Sequence, residues 1–160
     1  MLPFGGNKSG GPPAAACPVA AVLRPLANTA VFGPGAERKP LYVAWYGVLS
    51  DISVNCKIDG PALRVALDNV IIAERGPAGR ANDVDLNYFV SLTASDQTIL
   101  GKKSFSVHVA LAGNDKRAGV NDHVEVVFNT GGRPLSDLSI AVGFQQPPDV
   151  IEFYKNYRGR

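Results

Sequence analysis

From about residue 40 onward, apolar and polar residues alternate with a period of two. In "FSVHVAL" (105–111) Phe105, Val107, Val109 and Leu111 fall on one side, and Ser106, His108 and Ala110 on the other. That is the pattern of a half-buried strand, whose successive side chains point to opposite faces. "HVEVVFN" places Val124, Val126 and Phe128 inward, and "LSIAVGF" does the same with Leu138, Ile140, Val142 and Phe144. "ALRVALDNVIIAE" aligns Leu63, Val65, Leu67 and Ile71 with Asn69 interrupting the row, and "NYFVSLTAS" supplies Tyr88, Val90 and Leu92. "LYVAWYGVLSDISVNC" is apolar on both faces around Trp45 and Tyr46, as a central strand is. Beyond that point it is expected to alternate from Val48 through Ile52 and Val54.

Turn chemistry separates these runs: "DGP" (59–61), "RGPAG" (75–79), "SDQ" (95–97), "GND" (113–115) and "TGGRP" (130–134) hold residues that tolerate or impose bends. About seven strands without a long helical pattern between them predict an all-β chain, an immunoglobulin-like antiparallel β-sandwich. A closed barrel around a ligand cavity is the structural alternative.

The period changes at the C-terminus. In "PPDVIEFYKNYRGR" Pro147 and Pro148 bar continuation of the preceding strand. Asp149 is expected to cap a short helix, with Glu152 three residues on in a capping-box-like relation. Val150, Phe153, Tyr154 and Tyr157 then share one helical face. A helix this short needs packing partners. Its aromatic face either covers the sandwich's own open end or docks on a partner or a membrane interface, which makes Phe153, Tyr154 and Tyr157 candidate partner-binding residues. The predicted organisation is a Gly/Pro-rich lead-in over 1–16, a sandwich over 17–146 and a helical tail over 147–160.

Composition narrows the function. The 160 residues are enough for one domain with a substantial core. A net charge of +2 leaves no electrostatic footprint for nucleic acid. Residues 1–16 carry Lys8 and small residues before Cys17, yet lack the continuous apolar stretch of roughly 7–15 residues that an export signal needs. A removed signal, a misplaced start and a cytoplasmic protein all fit that observation.

No G-x-S-x-G, Walker-type or H-E-x-x-H motif occurs. The two histidines, His108 and His123, fall on outward strand positions, so no metal site and no cofactor are expected. Asp83 and Asp85 share one side of an extended segment, the arrangement of a calcium or dyad pair, but no further oxygen ligands cluster with them. In "AERGPAGR" a rigid Gly-Pro turn sits between Arg75 and Arg80, two guanidinium groups suited to an anionic partner surface. Read structurally, the same turn merely joins strands, with Glu74 balancing Arg75. "GKK" (101–103) suits an edge strand protected by lysines.

Cys17 and Cys56 form no C-x-x-C pattern. They are either two buried thiols or a disulfide closing a loop of about 40 residues. The blocks "CPVAAVL", "VNC", "AERGPAG", "YFVSLTASDQTILGKKSFSV" and "VGFQ" resemble a family of small alphaproteobacterial envelope proteins, often predicted lipoproteins. The resemblance implies that Cys17 is the non-acylated cysteine of the C-P segment and that Cys56 is its disulfide partner in an exported domain. An upstream lipobox, present in that family, has no counterpart here. The expectation is a non-enzymatic, periplasm-facing envelope protein that acts as a binding or assembly module. Its partner is expected to be an envelope protein, with peripheral membrane association as a further contact. A lipid or small-molecule carrier built around an interior cavity is the alternative.

Overall fold

A computed structural model describes residues 17–156. They form eight strands: β1 (Val19–Val22), β2 (Asn28–Phe32), β3 (Val43–Asp59), β4 (Ala62–Arg75), β5 (Asp83–Ala94), β6 (Ile99–Ala110), β7 (Arg117–Asn129) and β8 (Leu138–Phe144), followed by a helix, α1 (Pro148–Asn156). One sheet has the order β1-β8-β5-β6 and the other β2-β3-β4-β7. The chain crosses between sheets after β1, β4, β6 and β7, and the later crossings set β4 beside β7 while β5 lies beside β8. This interlocked crossing makes the expected immunoglobulin-like sandwich, with one strand more than about seven. One pairing departs from the antiparallel rule: β1 runs parallel to β8. The opening segment is split, β1 edging one sheet and β2 the other.

The two hairpins follow from their turns. Gly60 and Pro61 join β3 to β4, and Gly60 takes φ +61°, a conformation that tight hairpin loops require and glycine supplies without strain. Between β5 and β6 the positive φ falls on Gln97, at 72°, and the Asp96 carboxylate braces the same turn by accepting the Thr98 N–H.

The predicted inward sets meet across the sandwich. Leu63, Val65, Leu67 and Ile71 of β4 are sealed from water, as are Tyr88, Val90 and Leu92 of β5 and Ile140, Val142 and Phe144 of β8. Phe105 lies half-buried at the edge of this core, its ring 5.5 Å from that of Tyr88. One expectation fails along β3. Trp45 and Leu49 point inward and Val48 outward, whereas Ile52 and Val54 also pack on the core. Between Leu49 and Ile52 the strand takes three steps while its partner β4 takes two, from Ile71 to Asn69. That bulge inverts the parity, so a single alternation through Val48 cannot hold.

Asn69 is buried in the apolar row, and its side-chain amide has no protein partner. Its cross-strand neighbour is Asp122, which accepts a 2.5 Å hydrogen bond from the Tyr88 hydroxyl. Burial, and then the bond to the Asp122 carboxylate, raise the Tyr88 pKa well above the usual phenol range.

Cys17 and Cys56 are disulfide-bonded, with Cα atoms 5.2 Å apart. The bond ties the start of the described chain to the inner face of β3, in support of a β1 that is only four residues long.

Helix α1 packs on the sandwich itself, on the outer side of β2 and the start of β3 rather than over an open end. Val150 and Phe153 are buried against Ala30 and Val43, and the Phe153 ring meets Phe32 edge-on at 5.2 Å. The Tyr154 hydroxyl donates to the Thr29 carbonyl at 3.0 Å. Asp149 is not the cap. Pro148 already begins the helix, Val150 and Ile151 N–H both reach the Pro147 carbonyl, and the Asp149 carboxylate accepts from Arg38 Nε at 2.8 Å. Arg38 in turn lies over the Phe32 ring. Tyr157, the last member of the predicted stripe, lies outside the described residues, as does the lead-in over 1–16.

Two outcomes follow. Phe153→Ala should cost about 3 kcal/mol in urea unfolding, as loss of a buried aromatic does; a change under about 0.5 kcal/mol would mean that α1 is not part of the folded unit. Reducing the disulfide, whose cysteines are 39 positions apart, should cost about 4 kcal/mol on the loop-entropy model and lower the melting temperature accordingly.

Candidate functional site

The loop after β4 is built for packing rather than for display. Arg75 folds back on it, donating to the Ala81 carbonyl and, at 2.8 Å, to Asn82 Oδ1. Gly76 N–H bonds to the Ala44 carbonyl and Ala78 N–H to that of Val43, which presses the turn onto the start of β3. A Cβ on Gly76 would lie 2.3 Å from the Val43 carbonyl oxygen, and one on Gly79 would lie 2.4 Å from that of Ala44. These glycines are demanded by backbone contact. Arg80 is exposed and takes no part in the bracing. Arg75 and Glu74 are not balanced against each other: adjacent strand residues face opposite ways, and Glu74 stands in register with Tyr46 on β3 and Arg117 on β7.

Each histidine sits between two carboxylates. His108 Nδ1 lies 2.8 Å from Asp85 and Nε2 3.3 Å from Asp83, so the two aspartates picked out in the sequence converge on one imidazole. On the other sheet His123 Nδ1 lies 2.8 Å from Asp68 and Nε2 3.1 Å from Glu125. Both clusters are exposed, and both ring nitrogens are engaged by carboxylates. Among the described residues no group of three or more His, Cys, Asp or Glu side chains is placed to hold a metal ion.

The hydrogen bond to Asp85 raises the His108 pKa above 6.5, and those to Glu125 and Asp68 do the same for His123. A raised folded pKa means that these contacts stabilise the fold fully below the unfolded value and fade as pH rises through the folded one. Unfolding followed from about pH 6 to about pH 8 should therefore show a small loss of stability that the His108→Gln, His123→Gln double variant lacks. An identical pH slope in the two proteins would show that the imidazoles are not coupled to these carboxylates.

A recognition-sized feature lies on the outer face of the β2-β3-β4-β7 sheet, beside α1. A groove of about 310 Å³ is lined by Asn28, Tyr46, Val48, Ile72, Glu74, Arg117 and Tyr154. Register explains its composition. One cross-strand row reads Ala30, Tyr46, Glu74, Arg117, and the next reads Asn28, Val48, Ile72, Gly119. Gly119 leaves the β7 end of the second row without a side chain, and a Cβ placed there would come within 3.7 Å of Ile72. Val48 is 37% exposed on this floor. Tyr154, held by Thr29, forms the wall contributed by the helix. Burial raises the Tyr154 pKa well above the phenol range, with the nearby Tyr46 hydroxyl adding to the effect.

Of the candidate partner-binding residues that are described, Arg75, Arg80, Phe153 and Tyr154, only Tyr154 lines this groove. Phe153 is spent on packing, Arg75 on its own loop, and Cys17 and Cys56 on each other. Tyr46, Glu74 and Arg117 come from three strands, and strand pairing alone makes them neighbours. Comparison of the chain with protein-family models, curated proteins and solved structures finds no match.

Proposed function

We propose that this chain is a non-enzymatic binding or assembly module of the bacterial cell envelope, working in the periplasm or on the periplasmic face of the outer membrane. The observation that carries this reading is the Cys17–Cys56 disulfide, since such bonds form and persist in oxidising compartments. Among the described residues no helix is long and apolar enough to cross a membrane. The recognition surface in this reading is the outer face of the β2-β3-β4-β7 sheet, where Val48 and Ile72 are left beside tyrosines and charges instead of being covered by α1. Small-molecule carriage is the second reading. It is favoured by the 310 Å³ groove, and it places the ligand outside the sandwich rather than within it.

A photo-crosslinking residue introduced at Val48 in the native host, with one at Lys103 on β6 as control, tests both compartment and surface. Crosslinks to an envelope component from Val48 but not Lys103, with both cysteines protected from thiol reagents, are expected. Recovery of the protein from the cytoplasm with both thiols free would overturn the assignment.

A further inference from the structure

We propose that the groove binds a free α-amino acid with an apolar side chain, its ammonium group against Glu74 and its carboxylate against Arg117. This rests on the reading of this sheet face as the recognition surface, and it names the ligand class.

The argument begins with the two charges. Glu74 and Arg117 are directly opposed in the β4–β7 ladder. Residues so placed have Cβ atoms about 4.5–5.5 Å apart on one face. Opposite charges in that position ordinarily close on each other. Here, among the described residues, neither the Glu74 carboxylate nor the Arg117 guanidinium has an ion-pair or side-chain hydrogen-bond partner, and both line the groove. A purely anionic ligand would gain from Arg117 and be repelled by Glu74, and a cation would meet the reverse. A molecule carrying both charges on one carbon satisfies the two together, and the guanidinium fork suits a carboxylate.

The floor selects what else the ligand carries. Next to the charged row lie Val48 and Ile72, with no side chain at Gly119 to fill the third position. An apolar side chain attached to the charged carbon would lie along this row and cover Val48. Asn28 closes the β2 end with an amide, while Tyr46 and Tyr154 wall the side toward the helix. The volume of about 310 Å³ lies at the lower end of small-molecule sites, roughly 300–1,000 Å³, in keeping with a ligand the size of leucine or phenylalanine rather than a lipid.

The test uses the full chain with its disulfide intact, titrated with L-leucine and L-phenylalanine and followed by amide chemical shifts. Saturable shifts confined to Val48, Ile72, Glu74, Arg117 and Gly119 are expected, with a Kd on the order of 1 mM for so open a site. N-acetyl-leucine, which lacks the ammonium, and leucinamide, which lacks the carboxylate, should each bind at least about tenfold more weakly. Glu74→Gln and Arg117→Gln, both surface changes, should weaken leucine by a similar factor while leaving the melting temperature unchanged. Absence of saturable shifts up to about 20 mM of either amino acid would overturn the proposal, as would equal affinity for the one-charge analogues or shifts that map elsewhere. The crosslink from Val48 separates the two failures. If it forms while the amino acids do not bind, only the ligand class falls; if it too is absent, the recognition surface itself is misplaced.

Discussion

The contact between the inner faces of β4 and β5 governs the rest of the molecule. Leu63, Val65, Leu67 and Ile71 meet Tyr88, Val90 and Leu92 with almost no exposure to water, and burial of such side chains is the largest favourable term available to the chain. Since strand side chains alternate strictly, this contact also dictates what faces outward. Sliding β4 by one residue would send its whole apolar row into solvent and turn Arg64, Asp68 and Glu74 into the core. The outer groove is thus a by-product of the core register. Ile72 and Glu74 stand outside because Ile71 and Ala73 are sealed inside.

The core is not wholly apolar. Asn69 interrupts the β4 row, and Tyr88 reaches Asp122 close by. A buried amide without a protein partner costs stability, on the order of 1–3 kcal/mol. The Tyr88–Asp122 bond acts the other way, because a register that separated the two would leave the buried Tyr88 hydroxyl without its carboxylate partner. The cluster therefore adds specificity where the apolar row alone would tolerate slippage.

Much of the fold could be read from residue patterning, because a period of two leaves little choice once turns punctuate it. The strands around Val65, Val90, Val107, Val126 and Val142 were legible for that reason. The bulge after Leu49 was not: "LSDISV" contains no glycine or proline to mark it, and the extra residue shows only against the partner strand. The splitting of the first segment into β1 and β2 was equally hidden, since their short runs have too few positions to reveal a period. The helix face was legible, but not what it covers. The groove was the least legible feature. Its charges lie 43 positions apart in the chain and become neighbours only through the β4–β7 ladder. Conversely, "AERGPAGR" read both as a turn displaying two arginines and as a plain strand connection, and what the sequence does not show is that its glycines are required by a backbone 2.3–2.4 Å from any added Cβ.

The position of the disulfide has a mechanical consequence. Tension applied at Cys17 does not have to be borne by β1, whose four-residue ladder with β8 would peel open in sequence. It enters β3 through a covalent link at Cys56 and spreads along the thirteen-pair β3–β4 hairpin. A module tethered from that side would carry load through the β3–β4 hairpin, while β1, inside the loop that the disulfide closes, stays unloaded.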